Sequence, residues 1–126
     1  MSNTICKKYN FELSDKDFAN GLIKLYLNGL SRLDAQILIE NIKKRFVEFE
    51  FKGIETLDVE TAKVLMRSNG PLSFPDLKTI SLDLAKEFIK KKKPGLILIN
   101  KNVEFETEDA YREVLRSIHS LQVLLI

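Results

Sequence analysis

The sequence predicts an α/β chain, a short solenoid of strand–turn–helix repeats with a parallel sheet on one face and helices on the other. Three observations predict it. An apolar anchor followed by a polar residue suited to begin a helix recurs at Leu33-Asp34, Leu57-Asp58, Ile80-Ser81 and Phe105-Glu106, at spacings of 24, 23 and 25 residues. Five residues beyond each anchor stand Leu38, Ala62, Ala85 and Ala110, and nine beyond stand Ile42, Met66, Ile89 and Val114. Helical periodicity puts these two positions on one inward side. Apolar–exposed–apolar triplets precede three of the anchors: Leu25-Tyr26-Leu27, Phe49-Glu50-Phe51 and Leu72-Ser73-Phe74. Such alternation sends two side chains to the core and one to the outside.

The elements follow in order within one domain, 1–126. Residues 1–24 form a degenerate capping unit in which Leu13, Ser14, Phe18 and Leu22 echo the phrase. Repeats are expected over 25–46, 47–70, 71–93 and 94–117, with a terminal strand in 118–126. Phe51 to Ala62, FKGIETLDVETA, states the motif most fully: a strand end, a turn at Gly53, the anchor Leu57, a cap at Asp58 and a small residue one turn into the helix. Three residues after each early strand comes another inward apolar residue, Leu30, Ile54 or Leu77. Asp34, Asp58 and Ser81 are good N-caps; Glu106 is a poorer one, with Thr107 as the alternative. Leu96 to Ile99 is the next strand, but it is wholly apolar, so either Ile97 or Leu98 faces outward. Breakers fall where units join, at Asn69-Gly70-Pro71 and Pro94-Gly95. Each helix supplies the crossover that parallel strands require.

Leu22, Leu25, Leu27 and Leu30 in LIKLYLNGL, with Phe46, Phe49, Phe51 and Ile54 in FVEFEFKGI, resemble the first half of a leucine-rich repeat, of a divergent bacterial kind. The resemblance runs from about Leu13 to Ile126. That family usually carries Asn or Cys where Leu30, Ile54 and Leu77 stand. The aliphatic slot here means that the turn meets its hydrogen bonds in another way. The resemblance implies a protein-recognition scaffold without catalytic activity, in an immunity-like, antitoxin-like or adaptor role.

Composition narrows the functional classes. The chain has 126 residues, 44% of them hydrophobic and 30% charged, with a net charge of +2. A core is therefore expected and disorder is not, and the balance gives no argument by itself for nucleic acid. A single cysteine, Cys6, excludes an internal disulfide and suits a reducing, cytoplasmic setting. No apolar run approaches the length of a membrane span. No cofactor is expected, and His119, the only histidine, stands without a cluster at metal-ligand spacing, so no metal site is expected. The carboxylate pairs Glu48/Glu50 and Glu104/Glu106 and the thiol of Cys6 lack the neighbours that acid–base or nucleophilic chemistry requires.

Binding is the expectation that remains. The outward row of strand positions is expected to hold Tyr26, Glu50, Ser73, Ile97 or Leu98, and Gln122, with Glu48 beside it; a rigid aromatic and a carboxylate suit a protein partner. A rival surface is a basic ridge at the helix C-termini: Lys43, Lys44, Arg45, Arg67, Lys90, Lys91 and Lys92, facing nucleic acid or an acidic partner. Acidic starts and basic ends are also what the helix dipole favours without any ligand. At the far end, Leu124, Leu125 and Ile126 form an edge that either pairs with another chain, as in a homodimer, or folds back.

Overall fold

The computed structural model describes residues 21–42, 46–91, 96–120 and 122–126. The predicted N-terminal copy at Leu13, Ser14 and Phe18 lies outside the described residues. In order, the elements are β1 (Leu22–Tyr26), α1 (Arg32–Ile42), β2 (Glu48–Lys52), α2 (Val59–Leu65), β3 (Leu72–Phe74), β4 (Thr79–Ile80), α3 (Leu82–Ile89), β5 (Ile97–Ile99), β6 (Glu104–Phe105), α4 (Glu108–His119) and β7 (Val123–Leu125). The chain is thus α/β. Strands β1-β2-β3-β5-β7 form a five-stranded sheet in that spatial order, every pairing parallel. A second, two-stranded parallel sheet joins β4 to β6, just ahead of the last two helices, and was not foreseen. Each helix packs on the next, α1 on α2, α2 on α3 and α3 on α4, making one layer behind the main sheet.

The inward strand positions are aliphatic or aromatic and fully enclosed: Ile23 and Leu25, Phe49 and Phe51, Leu72 and Phe74, Ile97 and Ile99. Four phenyl rings run through this core as a continuous stack. Phe49 lies 5.5 Å from Phe51, Phe51 lies 5.4 Å from Phe74, and Phe74 lies 6.0 Å from Phe88 of α3, all nearly parallel. Burying one such ring contributes about 2–3 kcal/mol relative to exposing it, so the stack ties the central strands to the helix layer.

Helix starts are capped from their own sequence. Asp58 accepts from the Thr61 N–H, Ser81 from Leu84 and Thr107 from Ala110. Thr107, not Glu106, caps the last helix. The first helix departs from expectation more strongly. Ser31 takes the capping place, accepting from the Asp34 N–H at 3.2 Å, and Asp34 is inside the helix. Leu33 is therefore no anchor: it is 65% exposed on α1, and the half-buried Leu30 precedes the cap instead. The small residue of the first helix is correspondingly Ala35, four residues after its cap like Ala62 and Ala85, while Ala110 stands three after Thr107; all four are fully buried. Leu38 is buried as expected, one turn deeper.

The register of β1 also differs. Leu25 pairs with Phe51 and Tyr26 with Lys52, a shift of two residues from the triplet alignment, and Leu22 points outward. Two glycines make the close approaches between neighbouring segments possible. Gly53 has φ +89°, and a Cβ there would stand 2.3 Å from the Leu27 carbonyl oxygen; a Cβ at Gly70 would lie within 2.1 Å of the Val47 carbonyl oxygen. Only glycine fits without moving backbone.

The turns after the strands meet their hydrogen bonds by reaching back one segment. Asp76 accepts the Gly53 N–H at 2.7 Å, and the Asn100 amide donates to the Pro75 carbonyl at 3.0 Å. Ile54 and Leu77 fill the aliphatic slot beneath. Beyond the turn, backbone bonds join Lys78 to Glu55 and Glu104 to Lys78, continuing the segment-to-segment contact to β4 and β6.

Candidate functional surface on the sheet

The helices lie on one face of the main sheet. On the other face no described element packs, and the register defines which side chains stand there. One row crosses the sheet as Lys24, Glu50, Ser73, Leu98 and Leu124. A second begins with Tyr26 opposite Lys52, and a third with Leu22 opposite Glu48. The face is graded in character. Over β1 and β2 it is charged and aromatic: Lys24 approaches Glu50 at 3.8 Å, and the Lys52 ammonium sits 5.5 Å from the centre of the Tyr26 ring. Over β5 and β7 it is aliphatic, with Leu98 and Leu124 half-buried and Ile126 exposed. Phe46, just ahead of β2, adds a further exposed ring near the first end.

Of the residues expected to bind a partner, Tyr26, Glu48 and Glu50 stand together on this face. Tyr26 is 65% exposed but belongs to the row of Lys52, not that of Glu50, because of the register shift. Ser73 occupies the expected row, between Glu50 and Leu98, yet is only 5% exposed. Ile97 faces the core, aligned with Leu72 and Val123, so Leu98 is the outward residue of β5. Gln122 is turned away: its amide donates to the Ile89 carbonyl at the end of α3. Sequence reasoning missed Lys24, Lys52 and Leu124 as members of the face, and left Leu98 open against Ile97. Alternation within LIKLY was the available signal for Lys24; nothing within the uniformly apolar Leu96–Ile99 marks Leu98.

The basic ridge fares differently. Lys43, Lys44, Arg45 and Lys92 lie outside the described residues. Arg67 is exposed, while Lys90 pairs with Glu87 at 3.0 Å. Lys91 is buried and donates to the Ser68 carbonyl at 2.7 Å, and that burial pushes its pKa below the ordinary 10.5. It serves to join the ends of α2 and α3 and is not a free surface cation. The C-terminal residues Leu124, Leu125 and Ile126 run along β5, with the Ile126 N–H donating to Ile99 and its carbonyl accepting from Lys101.

Among the described residues no three His, Cys, Asp or Glu side chains gather where a metal ion could be held, and no helix is long and apolar enough to cross a membrane. Comparison of the chain with protein-family models, with curated proteins and with solved structures finds no match.

Proposed function

We propose that this protein is a non-catalytic recognition module that binds another protein through the open face of its sheet. The observation that carries the reading is Tyr26. It is a large amphipathic ring left 65% exposed on a rigid strand, with the Lys52 ammonium against it. Such a ring offers contact area at little ordering cost, and aromatics are the commonest anchors of protein interfaces. Around it, Lys24, Glu50 and Glu48 supply charge for specificity, and Leu98 and Leu124 supply apolar area. The succession of parallel strands in the main sheet, each but the last followed by a capped helix, supports the view that the chain is a short solenoid of leucine-rich-repeat-like character. In that reading the open sheet lines the binding side. An immunity-like or adaptor role in the cytoplasm fits a small module of this kind.

The test is capture of partner protein from native lysate by the wild-type chain and by a Tyr26→Ala/Glu50→Lys double variant. The reading expects a partner held by the first and lost by the second, with equal thermal stability. Undiminished capture by the double variant would remove the sheet face from consideration. Salt-sensitive binding of nucleic acid instead would favour the basic ridge.

A further inference from the structure

The end of the molecule formed by β7 and α4 is built to be covered. A step of 100° per residue along α4 places Ala110, Val114 and Ser117 on the buried stripe. Tyr111, Leu115 and Ile118 follow on one flank. On that flank Tyr111 is 45% and Leu115 41% exposed, so α3 packs on the opposite side, where Glu113 is half-buried. The Tyr111 ring rests 5.4 Å from Phe105, which extends the apolar flank. Below it runs the second edge of β7, against which no described strand lies. The Gln122 carbonyl accepts from Ile97 and the Ile126 N–H donates to Ile99, both on the β5 side, so in a parallel ladder Val123 and Leu125 turn their N–H and C=O groups to the open edge. Leu125 is exposed there on the helix side of the sheet.

We propose that this end face is an interface with a second copy of the chain, related by a two-fold axis perpendicular to the sheet. One such axis satisfies both elements at once. It sets β7 antiparallel to the partner's β7, so that Val123 and Leu125 bond reciprocally across the edge and two five-stranded sheets become continuous. It also lays α4 antiparallel to the partner's α4, bringing Tyr111 of each copy against Leu115 of the other. The ends of the flank are complementary in the same sense. Glu108 lies at its start and the His119 imidazole at its finish, so the reversal sets a carboxylate of one helix beside a ring that can donate a hydrogen bond from the other, and opposes the two helix dipoles. A parallel neighbour would set like end against like. Glu108 pairs with Arg112 at 3.0 Å, an exposed contact within its own helix. This surface is separate from the outward face that holds Tyr26.

Size-exclusion chromatography with light scattering, run on the full chain over a dilution series, tests the proposal. The expected mass is twice the 14.5 kDa of one chain. A Tyr111→Glu/Leu115→Glu variant is expected to weaken association about tenfold or more. Leu125→Pro, which removes an outward N–H, is expected to act in the same direction, and Leu33→Glu, on the exposed side of α1, is expected to leave the dimer intact. Circular dichroism confirms that each variant is folded. A wild-type chain monomeric at every concentration, as expected if the face receives a different protein or a further unit, overturns the proposal. So does an open series of higher oligomers, or a dimer that survives both end-face variants.

Discussion

Asp76 holds Gly53. The carboxylate, from the turn after β3, accepts the Gly53 N–H in the turn after β2 at 2.7 Å. Gly53 in turn lies so close to Leu27, in the turn after β1, that no side chain fits between them. Three consecutive turns are thereby locked together by one side chain and by the absence of another. Asp76→Ala is expected to cost about 1 kcal/mol, since the bond is exposed and water replaces part of it. Asp76→Asn, which keeps the accepting oxygen, is expected to lose less. Urea denaturation midpoints of the three proteins decide between these outcomes.

Gly53→Ala is the harsher change. The residue sits at φ +89°, where an L side chain is strained, and its new Cβ meets the Leu27 carbonyl. Strain of this kind costs about 1–3 kcal/mol before any steric shift is counted. Thermal unfolding is expected to show a lower midpoint for Gly53→Ala than for Asp76→Ala. Gly29→Ala is the control, because a Cβ there meets nothing within 4 Å.

The phenyl stack predicts where the core is least forgiving. Phe51 touches rings on both sides, at 5.5 and 5.4 Å, and is fully buried. Phe51→Ala is expected to cost about 3–5 kcal/mol, against about 0.5 kcal/mol or less for Tyr26→Ala on the open face. Guanidinium titrations of the two variants give the contrast directly. Equal losses would show that the Tyr26 ring is structural.

Lys91 gives the protein an alkaline signature. Burial lowers its pKa in the folded chain, while the unfolded chain keeps the ordinary value of 10.5. Between the lowered value and 10.5 the unfolded state therefore holds more protons, and stability rises with pH. Below the lowered value this residue gives no slope. Lys91→Met is expected to flatten the rise in urea midpoint measured from about pH 7 to about pH 10. An unchanged slope in the variant would assign the effect to another group.

How much of this was legible depended on contrast between neighbouring side chains. Phe49-Glu50-Phe51 and Leu72-Ser73-Phe74 alternate cleanly, and their register was read correctly. Asp58 and Ser81 are caps with few competitors nearby, and both cap. The first helix failed because Ser31-Arg32-Leu33-Asp34 offers two capping residues, and Leu33-Asp34 mimics Leu57-Asp58. The chain uses Ser31, and the loop between β1 and α1 is shorter than that of the next unit. LIKLYL likewise holds two apolar–exposed–apolar triplets in the same phase, Ile23-Lys24-Leu25 and Leu25-Tyr26-Leu27, and the second was aligned with Phe49-Glu50-Phe51 where the chain pairs the first. The misplacement of Tyr26 beside Glu50 followed from that. Leu96 to Ile99 carries no alternation at all, because its outer side chain is aliphatic too; only the pairing with β3 and β7 distinguishes Ile97 from Leu98. The burial of Lys91 within a run of four lysines had no signal in the sequence.

The recognition role is tested most directly by hydroxyl-radical footprinting of the captured complex. The account predicts that partner binding lowers the reactivity of Tyr26 and Leu22 on the open sheet face. Leu33 on α1 and Tyr111 on α4 are expected to keep the reactivity they have without partner. Protection confined to the helices, with Tyr26 as reactive in the complex as in the free protein, would contradict it.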